Sequence, residues 1–177
     1  MQNNMLNKWK YDNTEAFSYG ETESYVKAVA FLDGHGTVED WGCGTAWAKR
    51  LFTQSVYTGI DGSWSKFCDK HVELQTYTST PDCILMRHVL EHNLGWRAIL
   101  GNALASFQRR MSLIMFTPFG QETRVMGAFS AETVVGSSYE NIPDISFNYS
   151  DLTETFKDLI VKEETIKTGE HLFYLQK

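Results

Sequence analysis

Two clusters of residues in this chain have the types and spacing to do chemistry. The first is Gly42-Cys43-Gly44, with Asp61, Gly62 and Ser63 downstream. Glycines one residue apart let the backbone turn sharply and lie against a ligand. A carboxylate about 20 residues on, at the end of a second strand, can accept both hydroxyls of a ribose. A lone Gly-x-Gly is weak evidence, and Asp61 has a plainer role open to it, as the cap of a helix that begins at Ser63. The second cluster is Arg87-His88-Val89-Leu90-Glu91-His92. An imidazole here can take a proton from a reacting group, ligate a divalent metal, or hydrogen-bond so as to shape a pocket.

These clusters need a scaffold that brings them to one edge. Residues 1–21 are polar but carry Trp9, Tyr11, Phe17 and Tyr19, and read as an arm or lid. Residues 22–32 read as an amphipathic helix with Tyr25, Val29 and Leu32 on one face, ended by Gly34 and Gly36. Strand and helix patterns then alternate: strand 37–41, helix 45–53, strand 55–60, helix 63–70, strands 72–77 and 82–87, helix 96–109 and strand 111–116. Such alternation predicts a parallel sheet with crossover helices. Apolar runs such as Ile84-Leu85-Met86 suit strands buried on both faces. Residues 121–148, broken by Gly127, Gly136 and Pro143, read as an insertion between core elements. Ser150 or Asp151 is placed to cap a helix running to Lys157, with Glu154 completing a capping box. Strands at 159–167 and 171–175, joined by Thr168-Gly169-Glu170, predict an antiparallel hairpin.

From residue 38 to 118 the chain resembles the class I S-adenosylmethionine-dependent methyltransferases, especially the small-molecule type with an HVLEH segment. Val38-Glu39-Asp40-Trp41-Gly42-Cys43-Gly44 is similar to the family's first motif, and Gly59-Ile60-Asp61-Gly62-Ser63 to its ribose-binding strand end. Pro81-Asp82-Cys83-Ile84-Leu85-Met86-Arg87-His88-Val89-Leu90-Glu91-His92 resembles its fourth-strand motif. Leu113-Ile114-Met115-Phe116-Thr117-Pro118 resembles its fifth strand and the turn that follows. The resemblance implies an α/β fold: a Rossmann-like three-layer sandwich with a mostly parallel seven-stranded sheet of order 3-2-1-4-5-7-6 and an antiparallel last strand. It implies S-adenosylmethionine as cofactor, bound by Asp40, Trp41, Gly42, Cys43, Gly44, Asp61, Gly62, Ser63, Arg87 and His88, with Asp40 on the methionine amino group. His88 and His92 become the catalytic candidates, as proton acceptors, and no metal is expected. Methyl transfer by in-line displacement to a small molecule follows, with acceptor walls drawn from residues 11–25, 88–93 and 121–148. A protein or peptide acceptor is the alternative.

Three positions test the resemblance. Ala46 stands where the family often has a third glycine. Residues 76–81 follow the expected third strand without the acid that commonly meets the adenine amino group. Trp64 either stacks on adenine or packs on the surface.

Bulk properties narrow the field. The 177 residues suit one domain spanning the whole chain. No apolar run approaches the roughly 20 residues that span a bilayer, and the N-terminus lacks the apolar stretch of a signal peptide. Three scattered cysteines without a Cys-x-x-Cys pair suit reduced thiols in the cytoplasm. A net charge of −6, with no basic run longer than Arg109-Arg110, argues against duplex nucleic acid as a partner. Oligomeric state is not legible. Two other classes stay open here. One is a Rossmann-like module that holds a nucleoside without turnover, or serves as a partner subunit. The other, remote, is a zinc peptidase using His88-x-x-Glu91-His92 on a helix with Glu163 or Glu164 as third ligand.

Overall fold

A computed structural model of the chain describes residues 8–11, 15–132 and 138–177. In chain order, β1 (Trp9–Lys10) and α1 (Glu23–Leu32) precede β2 (Thr37–Trp41), β3 (Val56–Asp61), β4 (Lys70–His71) and β5 (Cys83–Arg87). Then come α2 (Trp96–Ser106), β6 (Arg110–Phe116), β7 (Arg124–Glu132), β8 (Ser138–Ser146), α3 (Tyr149–Thr153), β9 (Ile160–Thr165) and β10 (Glu170–Gln176). Short 3-10 turns lie at Trp47–Leu51, Leu90–His92 and Lys157–Leu159.

Seven strands form one sheet in the order β4-β3-β2-β5-β6-β10-β9. Its first five strands are parallel, and β10 runs antiparallel to both β6 and β9. This is the expected 3-2-1-4-5-7-6 arrangement. Successive strand side chains point to opposite faces, and the sequence uses both. Ile84 and Met86 join Trp96, Ile99, Ala103 and Phe107 of the α2 layer. Cys83 and Leu85 join Tyr25, Ala28 and Leu32 of α1 on the other face. Two packed faces make three layers. Emptying a wholly buried position such as Phe107 by substitution with alanine costs about 3–5 kcal/mol.

Several local expectations are corrected. No helix forms over 63–70, because side chains there satisfy backbone amides and carbonyls instead. Ser63 N donates to Asp61 Oδ1, Ser65 Oγ donates to Gly44 O, and Gly59 N donates to Asp69 Oδ2. Such bonds compete directly with helical ones. The third strand is only Lys70–His71, not 72–77. The expected helix 45–53 tightens to a 3-10 turn, preceded by Ala46 at φ +51°, the left-handed region where glycine is the default residue. The helix expected to run to 109 ends at Ser106, as Phe107 turns extended and drops into the core. Asn148, rather than Ser150 or Asp151, caps α3 by accepting from Asp151 N, and that helix ends at Thr153.

The 121–148 segment is a β-hairpin, β7–β8, to which β1 adds a third strand through Trp9↔Tyr139 and Lys10↔Ser138. Residues 133–137 of that insertion, and 1–7 and 12–14 of the expected arm, lie outside the described residues. The described arm is tied down: Trp9 N donates to Ser63 Oγ, and Thr45 Oγ1 both donates to Phe17 O and accepts from Phe17 N. Among the described residues no helix is long and apolar enough to cross a membrane.

Candidate functional site

The carboxyl ends of β2 and β3 bring the first cluster together. Gly42 N and Cys43 N donate to Ile60 O at 2.7 and 3.0 Å, which folds the glycine turn over the end of β3. Gly42 and Gly44 take φ +80° and +55°. A Cβ on Gly42 would overlap Val89 Cγ2, and one on Gly44 would sit 3.1 Å from the Tyr19 ring and 3.3 Å from Tyr11 Oη. Asp61 is buried, with Oδ2 accepting from Gly44 N at 2.8 Å and Oδ1 from Ser63 N at 2.7 Å. Burial pushes its carboxyl up to about 6 against the pull of those amides. Asp40 is also buried and accepts from Tyr57 Oη at 2.7 Å. Burial raises it to about 7; the Tyr57 bond and the Arg87 charge oppose the rise, while Asp61 adds to it. Two neighbouring acids held partly protonated make a site that gains by meeting a cation.

These groups border one cavity of about 590 Å³. Asp40, Gly42, Cys43, Gly44, Asp61, Gly62, Ser63, Arg87, His88 and His92 all line it. Trp41 does not: its side chain lies wholly in the core, and its indole N–H donates to Glu39 Oε2 at 3.0 Å. Trp64 also lies outside the lining and is 67% exposed. Because β4 stops at His71, Glu73 and Leu74 follow the third strand and enter the cavity wall. An acid therefore does stand after that strand. The expectation of none came from placing the strand's end six residues too late. Tyr19, Asn93, Phe129 and Tyr139 add lining from the three segments expected to surround an acceptor.

The second cluster is organised by Glu170, which sequence reasoning missed. His88, at φ +52°, places Nδ1 3.1 Å from Glu91 Oε1 and Nε2 2.7 Å from Glu170 Oε1, and its ring stacks on Phe116 at 3.6 Å. Both ring nitrogens of His88 therefore face carboxylate oxygens of the protein, and neither is turned to a substrate. Glu170 also accepts from Arg87 at 2.6 Å and from Ser24 at 3.1 Å. Burial would raise its carboxyl, but the His88 bond and the Arg87 charge hold it at about 2. Arg87 further donates to Ser24 Oγ, Tyr25 Oη and Tyr19 O, so its guanidinium is engaged within the protein. His92 differs. Its Nδ1 lies 3.1 Å from Pro143 O, which can only accept, so in the neutral ring Nδ1 carries the hydrogen and Nε2 keeps the lone pair.

The zinc-peptidase alternative fails on this geometry. His88 precedes a one-turn 3-10 segment, Leu90–His92, instead of sharing a helix with His92. Glu163 and Glu164 sit on β9 and bond to Tyr149 and to Lys27, respectively. Among the described residues no group of three His, Cys, Asp or Glu side chains is placed to hold a metal ion.

No protein-family model matches the chain, and no curated sequence matches it. Solved structures do. One is Burkholderia thailandensis 1,6-didemethyltoxoflavin-N1-methyltransferase with bound 1,6-didemethyltoxoflavin and S-adenosylhomocysteine: 12% identity, TM-score 0.62, covering 89% of this chain and 79% of that one. Another is magnesium protoporphyrin IX methyltransferase from Synechocystis PCC 6803 with bound S-adenosylhomocysteine: 14% identity, TM-score 0.60, covering 88% and 83%. A third is an S-adenosylmethionine-dependent methyltransferase from Clostridium acetobutylicum: 8% identity, TM-score 0.61, covering 88% and 92%. Sheet order, the antiparallel last strand and these likenesses agree: the chain has the Rossmann-like fold of class I S-adenosylmethionine-dependent methyltransferases.

Proposed function

We propose that this chain is an S-adenosylmethionine-dependent methyltransferase acting on a small molecule, of the type with an HVLEH segment after the fourth strand. The observation that carries the reading is the convergence of the Gly42–Gly44 turn, Asp40 and Asp61 on one cavity at the carboxyl edge of the parallel strands. In open α/β sheets ligands bind in that crevice. Burial keeps both acids raised against the pull of Arg87 on Asp40 and of His71 on Asp61, and the cavity falls within the roughly 300–1,000 Å³ of ligand sites. Three-quarters or more of each neighbour named above is spanned by this chain, and two of them hold S-adenosylhomocysteine with small-molecule substrates in their names.

In this reading the whole chain is one domain, described residues of the arm, Tyr11 and Tyr19 among them, line the cavity beside the glycine turn, and strands β7 and β8 stand on the acceptor side. It works in the cytoplasm, which suits its three free cysteines. Asp61 already accepts from the Gly44 and Ser63 amides, with the Gly62 amide beside them, and its remaining acceptor capacity takes the ribose hydroxyls. Asp40 meets the methionine ammonium. Cys43, Gly62 and Ser63 give backbone walls to the ribose end, and Glu73 with Leu74 faces the adenine. Arg87 and His88, locked to Glu170, are positioning residues that keep the end of β5 rigid. The bound sulfonium supplies an already activated methyl group. The protein's contribution is alignment, worth up to about 7–11 kcal/mol. When the acceptor loses a proton on transfer, His92 Nε2 takes it.

The test is calorimetric titration with S-adenosylmethionine and S-adenosylhomocysteine. Wild type binds both. Asp61→Ala, folded by circular dichroism, binds at least about tenfold more weakly, since a charge-assisted pair of hydrogen bonds is worth about 1.5–3 kcal/mol. No binding by folded wild type sinks the reading. Binding without transfer to any acceptor marks instead a nucleoside-holding module.

A further inference from the structure

Four aromatic rings on the cavity wall close into a circuit. Trp9 meets Tyr139 at 4.2 Å between centroids, Tyr139 meets Phe129 at 5.2 Å, Phe129 meets His92 at 5.5 Å, and His92 returns to Trp9 at 6.0 Å. All four border the cavity. Three come from the small sheet β1-β8-β7, which contributes no strand to the seven-stranded sheet. That sheet is fastened to the fourth ring by the hydrogen bond between His92 Nδ1 and Pro143 O on β8. That bond, together with the one from Trp9 N to Ser63 Oγ, holds the aromatic wall beside His92.

We propose that the methyl acceptor is a planar, uncharged aromatic compound bearing the ring hydroxyl or ring N–H that becomes methylated. It lies against this circuit with that group donating to His92 Nε2. The inference rests on the methyltransferase reading above and deepens it by naming the acceptor class. Flat π faces favour a flat π ligand beyond simple area burial. Among the described residues of the cavity wall an anionic acceptor finds no unengaged arginine or lysine. Arg87 is engaged by Ser24, Tyr25, Tyr19 and Glu170, and the same wall carries Glu21, Glu73 and Glu170. A cationic acceptor competes with the cofactor for Asp40 and Asp61, and gives His92 Nε2 no hydrogen to accept when fully substituted. A neutral aromatic O–H or N–H satisfies the rings and the lone pair together.

The experiment uses the full chain and four probes of one outline: 2-naphthol, its saturated counterpart decahydro-2-naphthol, 2-naphthoate and 2-naphthyltrimethylammonium. Dissociation constants are measured by calorimetry with and without saturating S-adenosylhomocysteine. The expected result is 2-naphthol binding about tenfold more tightly than each of the others. Phe129→Leu, on the outer hairpin, weakens 2-naphthol about fivefold and leaves the S-adenosylhomocysteine constant within twofold. Equal or tighter binding of the saturated, anionic or cationic probe overturns the proposal, as does a Phe129→Leu variant with unchanged 2-naphthol affinity. The two readings fail separately. Preference for 2-naphthol without S-adenosylhomocysteine binding supports the aromatic site and sinks the methyltransferase reading. S-adenosylhomocysteine binding without that preference sinks the acceptor class alone.

Discussion

Cofactor affinity should depend on pH, and the structure sets the sign and size. Asp40 and Asp61 are buried together, and burial lifts their carboxyls to about 7 and about 6. Raised carboxyls favour the protonated, empty protein: their stabilising contribution is complete below about pH 4 and is lost as pH rises through 6 and 7. A ligand that brings an ammonium to Asp40 and hydroxyls to Asp61 favours the ionised forms, so its affinity rises over the same window. At pH 6 about one-tenth of Asp40 is ionised, which weakens binding about tenfold relative to the plateau, or about 1.4 kcal/mol. Asp61, half ionised there, contributes about another twofold, for roughly 20-fold between pH 6 and 8.5. Tyr57, which donates to Asp40, is itself raised by burial and stays neutral throughout. The assay is calorimetry with S-adenosylhomocysteine from pH 5.5 to 8.5 in two buffers of different ionisation enthalpy, which counts the protons released. Asp40→Asn should bind more weakly at pH 8 and retain only the twofold slope of Asp61. 5′-Methylthioadenosine, which lacks the ammonium, should show the same shallow slope on wild type. Equal affinity at pH 6 and 8, or a full slope surviving in Asp40→Asn, refutes the placing of the ammonium on Asp40.

Gly44→Val sets a branched side chain at φ +55°, 3.1 Å from the Tyr19 ring, so S-adenosylhomocysteine should give no measurable heat of binding while circular dichroism stays native. Glu170→Ala leaves Arg87 and His88 without their shared acceptor, and urea unfolding should show a loss of about 3–5 kcal/mol near neutral pH. Because the Glu170 carboxyl is held at about 2 against an ordinary 4.5, its contribution is present above 4.5 and lost as pH falls toward 2; the gap between wild type and variant should shrink over that interval. Methyl transfer to any acceptor found should survive exhaustive chelation, since the sulfonium needs no Lewis acid and both His88 nitrogens already face carboxylates. Full loss with recovery by one ion would make ligands of His88, Glu91 and His92.

Strand positions were legible wherever apolar residues ran unbroken. Cys83–Arg87 was found within a residue, because strands buried on both faces must be apolar on both; Thr37–Trp41, which buries Glu39 and Asp40, was legible instead from the Gly42-Cys43-Gly44 break that ends it. Helix 63–70 and strand 72–77 were misread for one reason: Asp61, Ser65 and Asp69 spend their side chains on the local backbone, and no periodicity records that. Glu73 was hidden behind that error. The positions of the glycine turn and of Asp61 were legible because each marks the end of a strand, Gly42 and Gly44 in the left-handed region after β2 and Asp61 at the end of β3. Trp41 was assigned to the site by position in a motif, but in a strand alternate side chains face opposite ways, and it turned to the core. What tertiary structure alone decided was the company of the two histidines. Strand β10 runs antiparallel, so its first residue, Glu170, pairs with Phe116 at the edge where the parallel strands end, 82 positions from His88 in sequence and 2.7 Å from it in space. The hairpin carrying Pro143 does the same for His92. In the sequence the two imidazoles are equivalent members of one motif; which has a ring nitrogen turned away from protein acceptors depends on groups delivered by strands that only the folded sheet brings alongside.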